Sequence, residues 1–262
     1  MPKKYENPSL KAELHLHSSM REPENEAVFS WGEIIRPISY LKKYFGSRNR
    51  VFYPPFFHDS IQDVEAIAWR LIELKIRIVA ITDHDSLDGY MMLERINKER
   101  KLGLIVVPGC EISSNEGDIL AYGIKRKIEQ GLGAAETISM IHEQGGIAVA
   151  AHPYMPFALG DRIYRRGFDA IEVFNSLASR RKNGLAESAA RKLSLPGIVG
   201  SDAHQKEEIG RSLMLFPKDT KDYHDVIKHI KRGDFETIRA GTSLFQMALR
   251  HILGDIRMIL RK

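Results

Sequence analysis

Glu13-Leu14-His15-Leu16-His17-Ser18-Ser19 reads as a short apolar strand carrying two histidines two positions apart. Side chains alternate along a strand with period two, so both imidazoles leave the same face and can reach one metal ion. A His-x-His pair on a half-exposed strand also arises by chance, and further ligands must come from elsewhere in the chain. They recur at matched places. Thr82-Asp83-His84-Asp85 ends the predicted strand Arg77-Ile78-Val79-Ala80-Ile81, and Pro108-Gly109-Cys110-Glu111 ends Leu104-Ile105-Val106-Val107. Gly117-Asp118 opens Ile119-Leu120-Ala121-Tyr122, Ala151-His152-Pro153 ends Ile147-Ala148-Val149-Ala150, and Gly200-Ser201-Asp202-Ala203-His204 ends the last confidently read strand. Each cluster alone has an ordinary explanation, such as a core histidine or a solvated loop carboxylate. Their repetition at one end of successive strands points to a metal site, because α/β barrels build their active sites there.

Between these strands lie amphipathic helices. Val64, Ile67, Ala68, Leu71 and Ile72 mark one apolar face after a Ser60-to-Asp63 start signal, and further helices are expected near 86–101, 134–144, 179–193 and from Tyr223 to Gly233. Short buried strands alternating with such helices predict a parallel barrel or an open α/β sheet, in one domain spanning residues 1–262. Residues 23–60 break the pattern as an insertion. Arg36, Lys42, Lys43, Arg48 and Arg50 interleave there with Tyr40, Tyr44 and Phe45, ahead of Phe52-Tyr53-Pro54-Pro55-Phe56-Phe57. Basic residues among aromatic rings suit a nucleic-acid strand, and equally a solvated helix face capped by an aromatic loop. At the other end, in the C-terminal helical region 221–262, Leu249, Ile252, Leu253, Ile256 and Leu260 line a helix that would pack on the barrel, lie on a membrane surface or mediate oligomerisation.

Composition narrows the chemistry. A net charge of +5 from 39 basic and 34 acidic residues is compatible with an anionic partner such as a phosphate ester or nucleic acid. The single cysteine, Cys110, excludes an intramolecular disulfide framework and any multi-cysteine zinc or iron–sulfur site, so a metal must rest on His, Asp and Glu. No signal-peptide pattern and no uninterrupted apolar run of about 18 to 20 residues occurs, and a cytoplasmic location is expected.

Glu13-Leu-His-Leu-His-Ser, Ile81-Thr-Asp-His-Asp, Gly109-Cys-Glu111, Ala151-His-Pro153 and Gly200-Ser-Asp-Ala-His204, with the weaker Asp169-Ala-Ile-Glu-Val-Phe-Asn175, resemble the polymerase and histidinol phosphatase (PHP) superfamily of metal-dependent phosphoesterases in residue type and order. The resemblance runs from residue 12 to about 212. It implies a distorted (β/α)7 TIM-like barrel whose strand ends bind two or three divalent ions. His15, His17, Glu111 and Asp202 would hold one, Glu111 would bridge to a second held by His152, and His84 with His204 would serve a third. Two positions depart from the family pattern. Glu22 stands where an Asp or His often follows the His-x-His pair, and Asp118 stands where a His is common. The candidate metals are manganese, zinc and iron, and the exchange at Asp118 shifts the balance from zinc toward manganese, iron or magnesium.

The resemblance implies hydrolysis of a phosphoester by metal-activated water, a reaction for which paired ions are suited by their hold on phosphate oxygens. Asp83 and Asp85 flank His84 and can orient a liganding imidazole or a water, with Asp85 alternatively capping the following helix. Arg211 is the first choice for clamping a substrate phosphate, followed by Arg21 and the group Arg162, Arg165 and Arg166. A phosphorylated small molecule, such as histidinol phosphate or a nucleotide, or a nucleic-acid end is the expected substrate, with phosphate or sulfate fitting the same site. A non-catalytic metal-binding or nucleic-acid-binding module is the alternative class.

Overall fold

The computed structural model describes residues 9–18, 62–156, 158–165 and 167–241. Strand β1 (Leu10–Glu13) is followed, across residues outside that set, by α1 (Val64–Glu73), β2 (Ile76–Val79), α2 (Asp88–Arg100) and β3 (Ile105–Val106). Then come β4 (Gly109–Ser114), β5 (Gly117–Tyr122), α3 (Ala134–Glu143), β6 (Ile147–Ala150), a 3-10 turn at Gly160–Tyr164, β7 (Ala170–Asn175), α4 (Arg180–Leu193) and β8 (Gly197–Gly200). Strand β9 (Leu213–Phe216), α5 (Tyr223–Arg232) and β10 (Glu236–Ile238) complete the described chain.

The helices form where the apolar period is helical. Val64, Ile67, Ala68 and Leu71 of α1 are buried at the spacing of one helix face. Ser179 accepts from the Lys182 N–H at the start of α4, and Asp222 accepts from the Asp225 N–H at the start of α5. The helix expected from about 86 begins at Asp88 with Leu87 in the capping position, so Asp85 is not its cap. Gly184 lies exposed in the middle of α4, and a Cβ added there would meet nothing within 4 Å. Gly184→Ala should therefore raise stability by about 0.5–1 kcal/mol, the conformational entropy that glycine wastes in a helix. A lower melting midpoint in calorimetry would contradict this.

The strands form two five-stranded sheets, ordered β10-β9-β1-β2-β3 and β4-β5-β6-β7-β8. Both are mixed, which corrects the expectation of an all-parallel arrangement. Strand β5 runs antiparallel to β4 and to β6, and β9 runs antiparallel to β1 and to β10, while β1/β2, β2/β3, β6/β7 and β7/β8 are parallel. The reason is connection length. Only Asn115 and Glu116 separate β4 from β5, enough for a hairpin, whereas a parallel crossover needs a dozen residues or more. Ile147 to Ala150 of β6 are all buried, as are Gly117 to Tyr122 of β5, so these strands read as continuous apolar runs rather than alternating ones. The two sheets meet at isolated parallel bridges, Leu16 to Ala203 and His84 to Glu111. The second bridge joins two residues of the predicted metal site, and the first lies between His15 and His17 on one side and Asp202 and His204 on the other.

Candidate metal centre

Backbone hydrogen bonds draw the strand ends together before any side chain is considered. The Asp202 N–H donates to the His15 carbonyl, the His17 N–H to the Ala203 carbonyl and the Thr82 N–H to the Leu16 carbonyl, each at 2.9 Å. Asp202 and His152 hold positive φ angles of 53° and 24°, which non-glycine residues adopt only when their surroundings impose it. The β4–β5 hairpin contributes one face. Glu111 and Ser113 share it by alternation, and Asp118 joins them because it lies directly opposite Ser113 in the ladder.

Five donor-atom separations then define a compact group. His15 Nε2 is 3.3 Å from His17 Nε2, 3.2 Å from Glu111 Oε2 and 3.5 Å from Asp202 Oδ1. His17 Nε2 is 3.2 Å from the same Glu111 oxygen and 3.3 Å from the same Asp202 oxygen. Nitrogen and oxygen ligands about 2.0–2.1 Å from a tetrahedral ion stand about 3.3–3.4 Å apart, so these are the edge lengths of a coordination shell. The other oxygen of Glu111 lies 2.9 Å from His152 Nε2, yet that oxygen is buried without an aligned hydrogen bond among the described residues. Close approach without hydrogen-bond alignment suits two ligands of one cation better than a donor and its acceptor. The residues present therefore fit divalent metal ions.

Around this group, His84 joins Glu111 and Asp118, His204 joins His17 and Asp202, and His152 joins His15 and Asp202. His84 and His204, which the resemblance assigns to one ion, lie in two of these groups. Both stack on His17, with ring centroids 5.1 and 4.4 Å away. Burial opposes ionisation throughout the cluster, and the opposed charges overcome it at Glu111 and His152. Burial alone would raise Glu111, but His84, His15 and His152 hold its carboxyl well below the usual range. His152, which burial would lower, is raised to about 9 chiefly by Glu111. Asp118 is pushed up to about 6 by burial and by the charge of Glu111. Collected anionic oxygens and imidazole nitrogens of this kind are what a divalent ion neutralises.

The remaining candidates divide. Asp83 accepts from both the N–H and the hydroxyl of Ser18 at 2.5 Å, fastening the chain just beyond His17. Asp85 accepts from the Ser113 N–H, and Ser113 Oγ lies 3.4 Å from His84 Nδ1. Arg211 approaches Glu208, whose carboxylate accepts from the His204 N–H, so it stands one residue away from the cluster. Arg162 and Arg165 gather on Glu116 at the hairpin turn. Glu22, Arg21, Arg166, the whole of the insertion at 23–60 and the helix expected at 243–260 lie outside the described residues. Two residues went unassigned in the motif reading. Glu172 faces His15 Nδ1 at 2.8 Å, and Asn175 donates to Asp202 Oδ2 at 3.1 Å. The buried carboxylate in Ala170-Ile171-Glu172-Val173 was the available signal, since a charge in an apolar strand requires a partner.

The architecture and the cluster define a class, an α/β protein with a buried histidine–carboxylate centre at its strand ends. The chain belongs to the PHP superfamily. Residues 180–235 match the family model for PHP-associated regions. The uncharacterised protein MJ1587 of Methanocaldococcus jannaschii is 41% identical over 127 residues, which cover 48% of this chain and 73% of that protein. Among solved structures, a two-domain protein of Bacteroides vulgatus containing a predicted PHP-like metal-dependent phosphoesterase matches with a TM-score of 0.64 and 12% identity, over 88% of this chain and 65% of its own. The lesion-specific endonuclease PfuEndoQ of Pyrococcus furiosus matches with a TM-score of 0.55 and 16% identity, over 90% of this chain and 59% of its own. This chain spans less than two thirds of each of those two proteins, and the likeness to them is one of fold. No helix among the described residues is long and apolar enough to cross a membrane.

Proposed function

We propose that the chain is a metal-dependent phosphoesterase, a hydrolase acting on a phosphate monoester or on a nucleotide or nucleic-acid phosphodiester. The observation that carries this reading is the set of 3.2–3.5 Å separations among His15, His17, Glu111 and Asp202. These four would hold one ion. Glu111 would share its second oxygen with an ion at His152, and His84 with Asp118, or His204, would complete a further position. Bound divalent ions supply Lewis acidity toward phosphate oxygens and a hydroxide nucleophile from water near neutral pH.

The chain's own groups do the rest. Glu111 draws four imidazoles from three strand ends toward one carboxylate, and burial keeps competing water from the donor atoms. Arg211, held by Glu208 beside His204, is placed to receive a substrate phosphate, and Arg162 is a second cation over the hairpin turn. The fold reading extends in the same way. The ladders joining β1 with β2 and β4 through β8, together with the two bridges, trace a circuit of seven strands, which supports a distorted (β/α)7 barrel. The buried free thiol of Cys110 fits a reducing cytoplasm.

The test uses the full chain, stripped of metal and then supplied with manganese, zinc or iron. Aryl phosphate, bis-aryl phosphate, phosphorylated metabolites, nucleotides and oligonucleotides would be offered, with product identification. Hydrolysis stimulated by metal, lost to a chelator and restored by added ion is the expected result. Stoichiometric metal uptake with no turnover of any substrate would instead identify a non-catalytic module.

A further inference from the structure

Glu172 lies on β7 with its residue only 1% exposed, and both its oxygens are engaged. Oε1 faces His15 Nδ1 at 2.8 Å, while Oε2 accepts from the His152 N–H at 2.8 Å and from Asn175 Nδ2 at 3.2 Å. The same Asn175 amide also donates to Asp202 Oδ2 at 3.1 Å. Residues three apart on a regular strand point to opposite faces. Here the β7–β8 pairing shifts register between Glu172 and Phe174, and the extra residue brings Asn175 round to the side of Glu172. Asn175 cannot flip its amide without loss, because its Oδ1 accepts from the Leu177 N–H at 2.9 Å. Its backbone is braced by Asn183 of α4, which accepts from the Asn175 N–H and donates to the Asn175 carbonyl, each at 3.1 Å.

We infer that Glu172 and Asn175 form one positioning unit that sets His15, His152 and Asp202 together, so that the two metal subsites served by those residues load as a pair. This rests on the metal-centre reading above. A carboxylate accepting from the far nitrogen of a liganding histidine fixes which nitrogen is left for the metal, and losing such a partner costs about 10- to 100-fold in metal affinity. Glu172 does this for His15 and, with its other oxygen, holds the backbone on which the His152 ring is hung. Neither atom of the unit is itself among the separations that define the coordination shell.

Glu172→Gln keeps the shape and reverses one end of the hydrogen bonding. If the new amide nitrogen takes the Oε2 place, it confronts two donors, His152 N–H and Asn175 Nδ2. If it takes the Oε1 place, it must donate to His15 Nδ1, and a neutral His15 then carries its proton on Nε2, away from use as a ligand. The first arrangement disturbs His152 and, through Asn175, Asp202; the second disturbs His15 directly, and the pairing inferred above carries that loss to the subsite of His152. Asn175→Ala removes the links to Asp202, Glu172 Oε2 and the Leu177 N–H while leaving Glu172 on His15 and on the His152 N–H, and it serves as the second variant should Glu172→Gln melt early.

The experiment titrates metal-free full-length protein with manganese and with zinc by calorimetry. It also follows the His15 Nδ1 proton in metal-free, histidine-labelled protein by nitrogen–proton NMR. In the wild type the Nδ1–H signal is expected to be downfield and protected, and in Glu172→Gln lost or displaced. Glu172→Gln should weaken both ions by about 10- to 100-fold, and Asn175→Ala should weaken uptake to a smaller extent. Wild-type affinity in both variants, loss confined to a single ion, or an unchanged Nδ1–H signal in Glu172→Gln would each overturn the inference. Should wild-type protein take up no metal, the metal-centre reading fails separately, and the Nδ1–H signal still decides whether Glu172 positions His15.

Discussion

Glu111→Gln is expected to reduce metal-stimulated phosphoester hydrolysis by at least about 10³-fold, roughly 4 kcal/mol of lost transition-state stabilisation. The size follows from position. One oxygen of Glu111 is 3.2 Å from both His15 and His17 and 3.6 Å from His84, and the other is 2.9 Å from His152. Within 4 Å, among the described residues, Asp202 meets three histidines of the cluster and Glu111 four. An amide retains the shape, but it removes the negative charge and turns one oxygen into a donor aimed at the site. Metal content measured by elemental analysis should fall with activity. Metal-stripped Glu111→Gln should also melt below the metal-stripped wild type, because the buried imidazoles lose the carboxylate that compensates them. Wild-type turnover and metal content in this variant would remove Glu111 from the centre.

Gly200→Ala is the second large effect, and it acts through space rather than charge. A Cβ at Gly200 would fall inside van der Waals contact with Glu172 Oε1 and 2.6 Å from the His15 Cβ, at the point where those two side chains meet. Neither neighbour can yield easily, since Glu172 is held by three partners and His15 lies on a buried strand extension. Overpacking of this kind costs about 1–3 kcal/mol, and the displaced His15 should weaken metal binding as well. Calorimetric melting and metal titration check the two halves separately. Gly133, where an added Cβ would meet nothing within 4 Å, supplies the comparison: Gly133→Ala should leave metal titration unchanged.

Much of this centre was legible because its residues are short-range signals repeated at strand ends. His15 and His17 needed only the two-residue period, and His84, Glu111, His152, Asp202 and His204 each follow an apolar run that reads as a strand. The hairpin was not legible in the same way. Gly109-Cys110-Glu111-Ile112-Ser113-Ser114 looks like the tail of the preceding strand, and its pairing with Gly117–Tyr122 depends on a two-residue turn without the usual Asn-Gly or Asp-Gly pattern. Strands β9 and β10 escaped for a related reason. Leu213-Met214-Leu215-Phe216 is too short an apolar run to distinguish strand from buried loop, and only its antiparallel partner β1, some two hundred residues earlier, settles it. The role of Asn175 was hidden by the register shift in β7, which overrides the alternation on which a sequence reading relies.

The bridge between His84 and Glu111 joins the first sheet to the second, and the Asp85 and Glu111 N–H groups donate across it at 2.9 and 3.2 Å. The clasp at this seam and the candidate metal centre therefore share His84 and Glu111. Whatever draws His84 and Glu111 closer tightens the seam, and whatever parts the seam spreads the donors. A seam built this way ties the stability of the scaffold to the spacing of the ligand atoms.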